Sequence, residues 1–195
     1  AYGGKGKFTS TINLSNRGLK GNGAIDYLTS KSESMNWIFL PDSTVGLAES
    51  FEIKPQVSGV EYPSVTGSDI DVVWRPKADH FFATSRKIPF DMYDKEVIHA
   101  GELDLSPQGL EGAGDLDFAD AKFNSNVFDF QNRRFVADTT DFRLNGVNSE
   151  KVAFSTNNVY ADIDLNNRIG KFRSNTSGDF VDFPVNKYIC FIDQF

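Results

Sequence analysis

The sequence predicts an all-β fold: two tandem units of ~91 residues forming an elongated β-solenoid or β-jellyroll. Three observations carry this. Polarity alternates with a period of two, turn residues recur at short intervals, and a Gly-rich element occurs twice, 91 residues apart.

The alternation is clearest in Val159-Tyr160-Ala161-Asp162-Ile163-Asp164-Leu165. One face carries Val, Ala, Ile and Leu, and the other carries Tyr and two Asp. That is a half-buried strand. Ile70, Val72 and Trp74 alternate with Asp71 and Val73, and Leu103 and Leu105 with Glu102 and Asp104. Phe135, Ala137 and Thr139 alternate with Val136 and Asp138. Between such runs stand turn formers: Ser15-Asn16-Arg17-Gly18, Ser106-Pro107-Gln108-Gly109 and Asn166-Asn167-Arg168. Helical spacing is not sustained over ten residues anywhere.

The repeat rests on Gly18-Leu19-Lys20-Gly21-Asn22-Gly23-Ala24-Ile25-Asp26-Tyr27 and Gly109-Leu110-Glu111-Gly112-Ala113-Gly114-Asp115-Leu116-Asp117-Phe118. The same offset aligns Val72, Trp74 and Phe81 with Ile163, Leu165 and Phe172. The expected organisation is a first unit over 5–96, a second over 97–187, and a C-terminal strand at 188–195 that reads as truncated. Both units form one continuous stack. Leu110, Gly112, Gly114, Leu116 and Phe118 fall on one strand face, where glycines make room for bulky rings. The chain has 18 Phe to fill a thin core, and Phe118, Phe130, Phe154 and Phe172 are expected in it.

Composition narrows the function. The formal net charge of -7 opposes binding to nucleic acid and to anionic lipid headgroups. No run approaches the ~20 apolar residues of a membrane span, and residues 1–10 do not read as an export signal. The single cysteine, Cys190, lies in the apolar run Tyr188-Ile189-Cys190-Phe191-Ile192 and reads as a buried, inert thiol. His80 and His99 lack a second ligand at metal-binding spacing and read as surface or rim residues.

Acidic groups are frequent: Asp69/Asp71, Asp115/Asp117/Asp120, Asp162/Asp164 and Asp179/Asp182. Two carboxylates on one strand face could serve a glycosidase or calcium. The same pattern marks the solvent face of an ordinary strand, and no EF-hand-type loop accompanies it. The aromatics Trp37, Trp74, Tyr27, Tyr62, Tyr93 and Tyr160 raise the possibility of a sugar platform. Trp74 and Tyr27 share a face with core residues, which leaves Tyr160 as the exposed aromatic. The surface candidates are therefore Tyr160, Asp162 and Asp164. No catalytic motif, metal site or cofactor site is read.

The segment Asn158–Phe172 enters as a strand with small and acidic residues, turns at Asn166-Asn167, and leaves through Gly170-Lys171-Phe172. It resembles a rung of the OstA-like family, the periplasmic β-jellyroll proteins of lipopolysaccharide transport. The chain as a whole looks like a segment of the large exported β-repeat proteins of gut-type Gram-negative bacteria. The resemblance implies architecture, an exported location (periplasm, outer membrane or cell surface) and, through the OstA-like rung, guidance of acyl chains along a hydrophobic groove. It assigns no site residue.

The expected function is a non-enzymatic β-repeat segment of a larger exported or envelope protein, serving as scaffold or interaction surface. Its expected partners are neighbouring repeats of the parent chain, with weak self-association through terminal strands. The alternatives are an OstA-like lipid or glycolipid conduit and a carbohydrate-active enzyme or carbohydrate-binding module. A scaffold requires a filled interior, a conduit an open apolar trough, and an enzyme two carboxylates about 5–9 Å apart in a cleft.

Overall fold

Short strands and tight turns build an antiparallel sheet that folds back on itself. The computed structural model describes residues 2–146, 151–177, 180–191 and 194–195. Asp179 and Ile192 lie outside the described residues. The first strands are β1 (Lys7–Ser15), β2 (Gly18–Tyr27), β3 (Ser30–Phe39), β4 (Thr44–Ala48), β5 (Ser50–Ile53), β6 (Val65–Gly67), β7 (Ile70–Arg75), β8 (His80–Ser85) and β9 (Phe90–Met92). There follow β10 (Val97–Ser106), β11 (Gly109–Phe118), β12 (Ala121–Gln131), β13 (Arg134–Asn145), β14 (Val152–Asp164), β15 (Ile169–Ser174), β16 (Phe180–Phe183) and β17 (Tyr188–Phe191).

Hairpins join β1–β2–β3 and β10–β11–β12–β13–β14. Between them, each long strand meets two short ones. Ile38 and Phe39 of β3 pair with β4, and Ser30 to Glu33 of the same strand pair with β5. Likewise β10 pairs through Glu102 to Leu105 with β8, and through Val97 to His99 with β9. β4 continues to β7, and β5 to β6. The two halves of the long strands thus belong to two layers.

A ring contact shows that the layers face each other. Phe123 pairs in register with Phe142, yet its ring also lies 5.4 Å from Phe135 of the same partner strand. An extended strand would separate positions 135 and 142 by roughly 23 Å. The strand must therefore bend and bring its far half back over Phe123.

The bends occur where the ladder is irregular. Gly23 sits opposite Ser10 and Gly114 opposite Gly101, each beside a register shift in the next pairing. A Cβ on Gly114 would fall 2.3 Å from the carbonyl oxygen of Ala100, so only glycine lets the kinked backbones approach. On β14 the break lies at Asn158, with φ of 55°.

Alternating apolar residues then meet between the layers. Ile70, Val72 and Trp74 are buried, as are Leu103 and Leu105 and the whole series Val159, Ala161, Ile163 and Leu165. Tyr27 of β2 stacks on Phe81 of β8 at 5.9 Å, and Phe51 of β5 on the same ring at 6.1 Å. Phe130 and Phe172 are core residues, whereas Phe118 and Phe154 are only partly buried against it. The alternation from Phe135 does not run through Thr139. The register shifts between Ala137 and Thr140, so Thr140 is buried and Thr139 is exposed.

Two further expectations are corrected. His99 is 0% exposed because the fold in β10 places it between rings of both layers. Cys190 is only half-buried, because among the described residues β17 pairs with β16 alone, and its neighbours Ile189 and Phe191 face water.

Candidate functional site

Tyr160, Asp162 and Asp164 lie on the outer face of β14, opposite the buried series, as period-two geometry demands. Strand pairing surrounds them with cations. Arg134 of β13 donates from Nε to Oδ1 of Asp162 (2.7 Å) and from Nη2 to Oδ2 (2.8 Å). This fork-to-fork pair holds the Asp162 carboxyl below the usual carboxylate range. Arg173 of β15 places its guanidinium 5.0 Å from the ring centroid of Tyr160. Asp164 accepts the backbone N–H of Asn166 and Asn167 (2.9 and 3.0 Å) and the Asn167 side-chain amide (2.7 Å). Those N–H donors, Asn167 first, lower its pKa.

Asp162 and Asp164 therefore line a depression of about 390 Å³ together with Arg134, Asn167, Ile169 and Lys171, and Tyr160 follows on the same strand face outside it. Their chemistry is already spent. Asp162 is neutralised by a bidentate partner, and Asp164 closes the turn into β15 as an Asx-type acceptor. Neither is an unpaired carboxylate for proton transfer. Among the described residues no group of three His, Cys, Asp or Glu side chains is placed to hold a metal ion.

The sugar-platform alternative loses its aromatics to the core. Trp37 is fully buried and donates from Nε1 to the Gly23 carbonyl at 2.8 Å. Tyr27, Tyr62, Tyr93 and Trp74 are each at most 3% exposed. Tyr62 and Tyr93 act as struts between layers, donating to the carbonyls of Ser106 (2.8 Å) and Arg134 (3.0 Å).

The strand pairing also creates a cluster that local sequence does not signal. His80 of β8 places Nδ1 2.9 Å from both oxygens of Asp104 on β10, and its ring stacks on Phe82 at 5.8 Å. Arg75 lies 5.3 Å from the same Phe82 ring. A histidine oriented by a carboxylate is half of a general-base arrangement. The hydroxyl of Thr84, further along β8, hydrogen-bonds Glu102 at 3.5 Å instead. His80 and Asp104 are 24 residues apart in sequence, so the pair is readable only once β8 is known to lie beside β10.

A third feature is apolar. At the β1 end the two layers leave a groove of about 550 Å³ lined by Gly6, Phe8, Ile12, Leu19, Phe39 and Trp74. Phe8 and Phe39 meet edge to face at 5.1 Å across Gly21. No family model, curated protein or solved structure matches the chain.

Proposed function

We propose that the chain is a non-enzymatic β-repeat segment of a larger exported or envelope protein of a Gram-negative bacterium, acting as a scaffold that presents interaction surfaces. One observation carries the reading. The space between the layers is occupied by side chains: Phe81, Phe90, Phe128, Phe130 and Phe135 are each 0% exposed. A conduit needs that space open, and an enzyme needs free carboxylates that Asp162 and Asp164 do not supply.

Tandem construction supports the reading. β2 and β11 begin 91 residues apart, and both carry their register shift at the matched glycines, Gly21/Gly23 and Gly112/Gly114. Kinks at Ser10 and Gly101 match as well. We read the whole as an elongated β-jellyroll of two units. Its expected partners are other repeats of its kind.

The lipid-conduit reading keeps one supporting observation, the apolar groove at the β1 end. Titrating the chain with a long-chain fatty acid and with lipopolysaccharide separates the two. The scaffold reading expects no saturable uptake of either. Saturable uptake abolished by Phe39→Asp would replace it with the conduit reading.

A further inference from the structure

Positions 91 residues apart on β1 and β10 differ sharply in exposure. Leu105 is 1% exposed and its counterpart Leu14 is 82% exposed. Leu103 is 1% exposed and its counterpart Ile12 is 48% exposed. The pairing explains the contrast. β10 is covered on its outer side by β8 and β9, with Phe81 opposite Leu105, Ala83 opposite Leu103 and Phe90 opposite His99. Among the described residues β1 pairs with β2 alone.

The packing behind the two strands is nevertheless the same. His99 meets Phe130 edge to face at 5.6 Å, and the counterpart Phe8 meets Phe39 in the same way at 5.1 Å. At the inner seam Phe90 then caps His99 at 6.2 Å. At β1 the corresponding place is the open groove beside Phe8.

From this we infer that β1 is a docking edge for a β8–β9-type strand pair carried by a separate unit of the same repeat. The inference rests on the scaffold reading and names the partner of that surface. Carrying the β8/β9–β10 register across 91 residues places a Phe81-type ring opposite Leu14, an Ala83-type methyl opposite Ile12 and a Phe90-type ring opposite Phe8. It also places an Asp91-type carboxylate opposite the exposed Lys7, where the inner seam has Ile98. The charges are complementary. The occupant is polypeptide because the outer edge of β1 offers backbone N–H and C=O groups that only another strand satisfies in a ladder. A lipid tail would fill the groove and leave that edge bare.

A synthetic peptide of residues 80–92, titrated into the full chain, tests this by hydrogen exchange. The expected result is saturable binding that slows exchange in β1 and in no other edge strand. Leu14→Asp and Ile12→Asp should each weaken binding at least tenfold. Leu14→Asp should leave the melting temperature unchanged, because that side chain already faces water, whereas Ile12→Asp, at a half-exposed position on the wall of the groove, should lower it slightly. A peptide with Phe81→Ser and Phe90→Ser should not bind. Tethering the 80–92 segment to the N-terminus by a flexible linker brings it to roughly millimolar local concentration. The inference is overturned if neither form protects β1, or if binding survives Leu14→Asp. In that case the scaffold reading stands unless saturable lipid uptake is also found.

Discussion

His99 lies flat against Phe90, ring centroids 6.2 Å and planes 15° apart, at the seam where β9 joins β10. Phe128 and Phe130 close the other sides edge-on at 6.1 and 5.6 Å. Nε2 reaches the Glu102 carbonyl at 3.2 Å, so the proton of a neutral ring belongs there. Nδ1 has no hydrogen-bond partner among the described residues. Burial pushes the pKa below the ordinary histidine value, and the backbone at Glu102 and Asp115, with the Asp115 carboxylate, only partly offsets this.

The first prediction concerns acid sensitivity. The unfolded chain binds a proton at His99 near pH 6.5, while the folded chain resists it to a lower pH. Stability from this residue is thus complete above pH ~6.5 and declines as pH falls toward the folded pKa. One proton gives a slope of up to about 1.4 kcal/mol per pH unit. Urea midpoints between pH 7.5 and 5.5 measure it. His99→Phe, which installs the ring type found at Phe8, should flatten that limb. An unchanged slope would assign the acid sensitivity elsewhere.

The outer-face pair Arg134–Asp162 gives the second prediction. The Arg134 side chain is 43% exposed and that of Asp162 20%, so solvent screens much of the interaction. Asp162→Asn should cost only about 0.5–1 kcal/mol at pH 7. The Asp162 pKa is lowered in the fold, so its contribution is present above pH ~3.9 and lost as pH falls through the folded value. Wild type and variant should therefore converge near the acid limit. A cost above about 3 kcal/mol would mark Asp162 as part of the buried framework.

The hairpins and their inward faces were readable in the sequence because each depends on neighbours two residues apart. Val159, Ala161, Ile163 and Leu165 declare one face, and the following Asn166-Asn167 declares the turn. The doubling of the sheet was not readable. It depends on kinks at Ser10, Gly23, Gly114 and Asn158, and a positive φ at one residue marks a turn or a bulge as readily as a bend that folds a whole strand over. The division of β3 between β4 and β5 follows from those bends and has no local signature. At the candidate site, exposure of the Asp162 and Asp164 face was legible, but the cation that occupies Asp162 comes from position 134. The burial of His99 escaped for the same reason: Phe90 of β9 and Phe128 and Phe130 of β12 converge on it from two strands distant in sequence.

The third prediction contrasts two glycines with positive φ. Gly114 has φ of 128°, and an added Cβ would stand 2.3 Å from a backbone oxygen that cannot move aside. Gly109 has φ of 156° and nothing within 4 Å. Gly114→Ala should cost ~3 kcal/mol or more, combining overpacking with backbone strain. Gly109→Ala meets no steric block and should cost less, about 1–2 kcal/mol from backbone strain alone. Thermal melts of the two variants make the comparison, and equal losses would mean that the kink in β11 does not depend on Gly114.

The last prediction tests the folding of the sheet itself. Phe123 and Phe135 touch at 5.4 Å with rings nearly perpendicular, 89° apart, although they stand far apart along the paired strands. Phe135 is fully buried and Phe123 is 3% exposed. Each Phe→Ala truncation should therefore cost about 3–5 kcal/mol. A cost alone shows only burial, so the informative quantity is the coupling between them. Edge-to-face pairs contribute about 0.5–1.5 kcal/mol beyond area burial, and a double-mutant cycle isolates that share. Phe123 with Phe135 should show coupling of this size. Phe123 with Phe81, which belongs to the other end of the ring stack, should show coupling below about 0.5 kcal/mol. If both pairs are equally uncoupled, the layers do not meet through Phe123, and the filled interior on which the scaffold reading rests would have to be rebuilt from other contacts.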